Sequence, residues 1–297
     1  MDDERLKRVD SFIRGVRDLS TLPEVIKKII ELTSDPNISI AKVEEAISTD
    51  PVISTRLLRI VNSAYYSFFR EITSIRQAIV VLGLDATKNL VYGTSIITAF
   101  GRHSKIERFP FEGFWQFSVA TGNISRTLSS LLDYHFYQEA FLAGLVHDIG
   151  KIVLASYRPL LFEEAIHNAY EHGVPLREAE EAVLGFNHSE VGQRLAVRWR
   201  LPRLLEEVIA FNENPRIASD YGEVTCVVRL AALLCREHGI GISGEPEKAI
   251  EMRSDEAWQM LSERNHLLDT LDFERFTASL DEEVEKVESF VNAMFAT

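Results

Sequence analysis

Apolar residues recur at three- and four-residue spacing along almost the whole chain, and that period commits most of it to helix. Val25, Ile26, Ile29 and Ile30 form one such face behind Pro23, a proline suited to a first helical position. Ser39 precedes a segment carrying Val43, Ala46 and Ile47. Asp50-Pro51 joins a capping carboxylate to a first-turn proline, ahead of Val52, Leu57, Ile60 and Val61. Ser74 starts a run through Ala78, Ile79 and Leu82 that stops at Gly83, and Asp85 is placed to cap the next, from Ala86 toward Phe100. Further helices are expected at Phe114–Leu132, Gln138–Ile149, Pro159–His172 with its stop at Gly173, from Pro175, and at Ser189–Trp199 and Pro202–Phe211. The tail predicts helices around Glu223–His238, Asp255–Leu268 and Phe273–Phe295. Strand-like alternation is scarce, and Lys151–Leu154 is the one short ambiguous stretch. The expected class is all-α, a compact multi-helix array.

With 297 residues, 46% of them hydrophobic, the chain can bury a full core without disulfides or metal staples. Its two cysteines, Cys226 and Cys235, cannot build a disulfide framework or a four-ligand zinc site, and free thiols fit a reducing compartment. The longest stretches without a charge, Asn89–Gly101 and Gly113–Ser125, have 13 residues each and fall short of a membrane span. Met1-Asp-Asp-Glu-Arg lacks the apolar core of a signal peptide, so a cytoplasmic location is expected. A net charge of −13 disfavours nucleic-acid binding. That charge is uneven: residues 1–215 carry 24 basic and 28 acidic side chains, and residues 216–297 carry 8 and 17. The shift follows Asn212-Glu-Asn-Pro and marks 216–297 as an acidic C-terminal helical extension. Its last apolar stripe, Val284, Val287, Phe290, Val291 and Met294, is expected either to pack back on the body or to serve as a homodimer arm.

The chemistry concentrates in one stretch. Residues 140–154 read Ala-Phe-Leu-Ala-Gly-Leu-Val-His-Asp-Ile-Gly-Lys-Ile-Val-Leu. An apolar helix end delivers His147 and Asp148 side by side, and Gly150 lets the backbone turn. Imidazole and carboxylate suit Zn, Mn or Fe, but adjacent helical positions point about 100° apart, so both face one ion only where the helix ends. The plainer reading is a buried polar pair joining helices. His188, ahead of Ser189, belongs either to that site or to a capping turn. Lys151 reads as a surface residue. The remaining histidines, His103, His135, His167, His172, His238 and His266, have no ligand spacing and read as exposed. Arg102, His103, Lys105 and Arg108 read as a solvated basic patch, and Asn62-Ser-Ala-Tyr-Tyr with Phe68 and Phe69 as an aromatic cluster that either packs between subdomains or forms a partner or ligand surface.

The His-Asp-Ile-Gly-Lys segment resembles the HD superfamily of metal-dependent phosphohydrolases, and residues 19–215 resemble HDOD, the HD-related output domain of bacterial signalling proteins. The segments that carry this are Leu19-Ser-Thr-Leu-Pro-Glu-Val, the run from Asp50 to Tyr66, Ile75-Arg-Gln-Ala-Ile-Val-Val-Leu-Gly-Leu, Phe114-Trp-Gln-Phe-Ser, Gly144–Lys151, Phe186-Asn-His-Ser-Glu-Val-Gly, Trp199-Arg-Leu-Pro and Asn212-Glu-Asn-Pro. The resemblance implies an N-terminal helical subdomain over 1–108, a degenerate HD-type subdomain over 109–215, and the extension beyond.

Departures from the family pattern decide the functional expectation. Where a catalytic HD enzyme carries an early histidine ligand, the resemblance places Phe117; where it carries a late aspartate, Ala232. His-His-x-Pro of related domains becomes Asn212-Glu-Asn-Pro. The metal candidates that remain are His147, Asp148, His188 and Glu213, enough for at most one weakly held divalent Fe, Mn or Zn ion at Asp148, His188 and Glu213. No catalytic residue is assigned. The leading expectation is a signal-transduction module that binds a signalling protein or small ligand without catalysis. The competing one is a metal-dependent phosphohydrolase acting on a nucleotide or cyclic dinucleotide.

Overall fold

The computed structural model describes residues 3–16, 28, 38–100, 106–246, 251–278 and 280–295. These residues are helical with no strand among them. The segment behind Pro23 and most of the basic patch, Arg102 to Lys105, lie outside the described residues.

The chain forms two compact units, and neither is a continuous segment. Residues 1–19 and 102–280 make unit 1; residues 20–101 and 281–297 make unit 2. The segments expected at 1–108, 109–215 and 216–297 divide the chain by resemblance and charge; these units divide it by contacts. Most of the acidic extension packs into unit 1, and its last helix belongs to unit 2, because charge balance along a chain reports solvation and says nothing of which apolar face meets which.

Unit 2 shows how far local signals carry. Helix α2 (Ile40–Ser48) begins on Ser39, whose side chain accepts from Lys42 N. Helix α3 (Pro51–Val61) begins on Asp50, whose carboxylate accepts from Val52 and Ile53 N, with the proline in the first turn. Helix α4 (Ile75–Leu82) begins on Ser74 and ends at Gly83, at φ +85°. Helix α5 (Leu84–Phe100) starts at once after that glycine, so Asp85 lies inside the first turn rather than capping it, paired with Lys88 at 2.7 Å. Val43, Ile47, Leu57, Ile60, Ile79 and Val91 are almost wholly buried among these helices.

The final helix of the chain, α17 (Leu280–Phe295), completes this unit. Val287, Phe290, Val291 and Met294 are buried. Phe290 meets Tyr65 edge-on at 5.0 Å, and Ser289 accepts a hydrogen bond from Ala64 N. Of the aromatic cluster after α3, Tyr65 thus packs against the end of the chain, while Phe68 and Phe69 are exposed. Asn62 holds the loop beyond it, exchanging hydrogen bonds with the backbone N–H and C=O of Ile72.

Unit 1 starts with α1 (Asp3–Gly15), which packs on α11 (His188–Trp199). Arg5 reaches Glu181 at 2.6 Å and Glu190 at 2.7 Å. The core is a long helix, α6 (Phe111–Leu131), flanked by α7 (Tyr137–Val146) and α13 (Gly222–Glu237). Next come α8 (Ile149–Tyr157), which packs on α11, then α9 (Pro159–His172) and α10 (Leu176–Leu184), which pack together. Helix α12 (Arg203–Phe211) packs on α11, and the short α14 (Glu256–Ser262), α15 (Leu267–Thr270) and α16 (Phe273–Ala278) close the unit.

The expected Gln138–Ile149 helix ends early, at Val146, and Lys151–Leu154 lies within α8 instead of forming a strand. The stretch Tyr137–Tyr157 meets a hydropathy criterion for a membrane span, but 89% of that window is buried in the fold. It is the core of unit 1, interrupted at His147-Asp148.

Two outcomes follow from these contacts. Phe290→Ala should cost unit 2 about 3–5 kcal/mol, read as faster amide exchange in α3 and α17; unchanged exchange would show that the C-terminal helix is dispensable. The Arg5 hydrogen bond holds the Glu181 carboxyl down to about 2. A depressed carboxyl stabilises the fold above its unfolded value and loses that contribution as pH falls. The stability gap between wild type and Glu181→Gln should therefore be widest near about pH 6 and shrink through the acid range in urea melts. A gap independent of pH would contradict the pairing.

Candidate functional site

The break between α7 and α8 shapes the site. His147 and Asp148 occupy the two linking positions, with Asp148 at φ −106°, ψ 22° preceding the first turn of α8. His147 is 1% exposed and Asp148 4%. The His147 Nδ1–H donates to Gly144 O at 2.6 Å, which leaves Nε2 3.4 Å from Asp148 Oδ2. Burial holds the His147 pKa below its ordinary value. Phe117, on α6, lies against the His147 ring with centroids 5.5 Å apart.

Lys151 lies in the first turn of α8, so its side chain returns toward Asp148, three residues earlier. The structure overturns its reading as a surface residue: it is 1% exposed. Its ammonium lies 2.7 Å from Asp148 Oδ2, 3.1 Å from Ser243 O and 3.3 Å from Glu245 Oε1. An ammonium has three N–H donors, and three acceptors are supplied. Burial opposes both charges, yet Asp148 is held well below the usual carboxylate range by His147, Lys151 and His188. Lys151 is held above the usual lysine range by Asp148, Glu245 and Glu213 against the same burial.

His188 comes from the opposite side. It is the first residue of α11, behind a capping box in which the Asn187 side chain accepts from Glu190 N and the Glu190 carboxylate accepts from Asn187 N. The capping turn and the site are therefore both real. Glu180, on α10 and fully buried, accepts from His188 N at 2.8 Å and meets His188 Nδ1 at 2.6 Å. Burial pulls His188 down, but Glu180 and Glu213 outweigh it and push it up to about 9. Its Nε2 makes no hydrogen bond and lies at ion-pair distance, 3.8 Å, from both Asp148 Oδ1 and Glu213 Oε2.

Gly150 makes this convergence possible. A Cβ there would lie 1.9 Å from His188 O and 2.9 Å from Gly192 N, both backbone atoms of α11. Only glycine lets α8 approach α11 closely enough to bring Asp148 to His188.

The remaining wall comes from the tail. Residues 239–246, Gly-Ile-Gly-Ile-Ser-Gly-Glu-Pro, leave α13 and cross the site. Ile242 N donates to Gly113 O at 2.8 Å. Gly241, at φ +69°, lies so close to Phe117 that a Cβ would come 2.2 Å from Phe117 N. Glu245 then turns inward: Oε1 faces Lys151, Oε2 accepts from Leu176 N at 3.0 Å, and its carbonyl accepts from Tyr170 Oη at 3.0 Å. Lys151 chiefly holds the Glu245 carboxyl below its ordinary value against burial.

The four sequence candidates thus meet: His147, Asp148, His188 and Glu213 line one buried centre in unit 1. Glu180, Glu245 and the role of Lys151 escaped the sequence reading. The Asn187-x-x-Glu190 capping box was the one local signal near Glu180, and Glu245 carried none. The described histidines read as exposed, His135, His167, His172, His238 and His266, are exposed.

A model of the HDOD domain matches residues 19–215. The chain belongs to the HDOD family. An HDOD domain protein of unknown function from Geobacter sulfurreducens shares 25% identity with it at a TM-score of 0.82, covering 99% of each chain. A protein of Marinobacter aquaeolei VT8, provisionally named a signal transduction protein, shares 20% identity at a TM-score of 0.80, covering 99% of this chain and 65% of that one. An uncharacterized protein of Treponema pallidum (strain Nichols) is 25% identical over 232 residues, 77% of this chain. The chain spans 44% of that relative's length.

The HD lineage of HDOD implies a divalent metal, and the residues here do not fit one. One Asp148 oxygen is taken by Lys151, His147 Nδ1 by Gly144, and Phe117 fills the place beside His147. Among the described residues no three His, Cys, Asp or Glu side chains converge in a geometry that could hold an ion. Gly150→Ala should cost at least about 3 kcal/mol in urea unfolding, since two backbones would have to part; a loss under about 1 kcal/mol would show that α8 and α11 separate freely.

Proposed function

We propose that this HDOD protein is a regulatory signalling module that binds a small ligand or partner protein and relays a conformational change, without hydrolysing a substrate. The observation that carries this reading is the binding of Asp148 to the Lys151 ammonium at 2.7 Å in a buried centre. Metal-assisted hydrolysis needs an ion with an open position that polarises a phosphoryl oxygen and activates water. An ammonium with all three donors engaged supplies neither.

An open cleft of about 870 Å³ adjoins the centre, within the size range of small-molecule sites. Glu213 and Glu245 stand in its wall with Arg177, Arg229 and Arg236. Arg229 is paired with Asp255 at 3.2 Å and Arg177 with Glu181 at 3.3 Å, while Arg236 faces the cleft beside Glu245. Glu245 therefore touches both the cleft and Lys151, and a ligand that displaced it would alter the buried centre. The provisional name of the Marinobacter aquaeolei relative agrees with a signalling role.

The test is a turnover panel of aryl phosphate mono- and diesters, nucleotides and cyclic dinucleotides, each with Mg, Mn, Fe(II) or Zn. No hydrolysis above the ion-only background is expected. Turnover abolished by His188→Ala would establish the phosphohydrolase instead.

A further inference from the structure

We infer that a second open cleft of unit 1, about 900 Å³ in volume, binds a small molecule by its oxyanion group, a phosphate or a carboxylate, through Arg236 and Arg108.

Three observations carry this. The first is an arginine without a partner. Arg236, in the last turn of α13, is half-buried and lines both this cleft and the one at Glu213. Among the described residues its guanidinium makes no hydrogen bond or ion pair. Against burial and behind Lys151, it helps to hold the Glu245 carboxyl down, but the two oxygens of that carboxylate are taken by Lys151 and Leu176 N. Arg177 and Arg229 of the first cleft are matched by Glu181 at 3.3 Å and Asp255 at 3.2 Å; Arg236 has no such match.

The second is another arginine on the same cleft. Arg108 lies over the Tyr170 ring, 4.8 Å from its centroid, and its guanidinium makes no hydrogen bond among the described residues. Tyr170 Oη in turn donates to Glu245 O at 3.0 Å, so the ring ties Arg108 to residues 239–246. A stacked guanidinium is ordered while its five N–H donors stay available.

The third is charge. The carboxylates in this wall are Glu237, which is exposed, and Glu245, which Lys151 neutralises. Two guanidiniums therefore face one uncompensated carboxylate, a positive cleft on a chain of net charge −13. Guanidinium matches phosphate and carboxylate with two parallel hydrogen bonds, and the volume falls within the range of small-molecule sites. The same segment supplies Ser243 O and Glu245 Oε1 to Lys151, so a ligand held here would reach the buried centre through the backbone without entering it.

The inference rests on the reading of this protein as a binder of a small ligand and names the group by which that ligand is held. Hydrolytic turnover would overturn that reading and leave the anion site standing; failure to bind anions would do the reverse. Full-length wild type, Arg236→Met, Arg236→Lys, Arg108→Met and Arg229→Met are titrated by calorimetry with sodium pyrophosphate and with sodium citrate, at an ionic strength held constant with sodium chloride. The two anions separate phosphate from carboxylate recognition.

Wild type should bind one equivalent of at least one of them. Arg236→Met and Arg108→Met should each weaken binding by at least about tenfold. Arg236→Lys keeps the charge without the planar fork and should fall between wild type and Arg236→Met. Arg229→Met, in the first cleft, should bind as wild type does. A wild type that binds neither anion at millimolar concentration would overturn the inference. So would an affinity that either Arg236→Met or Arg108→Met leaves unchanged, or one lost equally in Arg229→Met, which would place the anion in the first cleft.

Discussion

Everything around the centre of unit 1 follows from burying an ammonium among carboxylates. Taking such charges out of water costs several kcal/mol per ion, and their attraction offsets that only with near-complete hydrogen bonding. Lys151 meets the condition with three acceptors for three donors. Glu245 meets it with Lys151 on one oxygen and Leu176 N on the other. His188 meets it on the Glu180 side only. The break between α7 and α8, the close approach at Gly150 and the crossing of residues 239–246 are the backbone conditions that bring these partners within reach.

That dependence explains why the tail cannot be treated as an appendage. Two of the three Lys151 acceptors, Ser243 O and Glu245 Oε1, come from beyond residue 215. Cutting the chain at the composition boundary would strand a buried ammonium with Asp148 alone. Unit 2 repeats the lesson with apolar contacts, since the chain closes it with α17, more than two hundred residues after its aromatic partner Tyr65.

What the sequence revealed and what it hid divide along contact range. Ser39, Asp50, Ser74 and Gly173 were legible because a cap is an interaction between residues a few positions apart. His147, Asp148 and His188 were legible because their pattern matched a family. Lys151 was misread because burial of a lysine depends on distant acceptors, and base rates place lysine outside. Glu245 was invisible for the same reason: it lies in an acidic stretch that reads as solvated, 94 positions from its partner. Asp85 failed differently, through a turn so tight at Gly83 that α5 began one residue before the expected cap.

The contrast between an ammonium and a metal ion carries the functional argument furthest. A metal ion keeps a coordination position for water or phosphate and lowers the pKa of what binds there. An ammonium has only donors, and here they are all engaged by protein. What this chain shares with HD proteins is therefore the scaffold around His147 and Asp148. What that scaffold still offers is coupling. Glu245 is shared between the open cleft and the buried ammonium, so occupancy outside and charge arrangement inside are linked through one side chain. A centre that shares a side chain with the surface is suited to reporting a binding event, which is the role proposed for this chain.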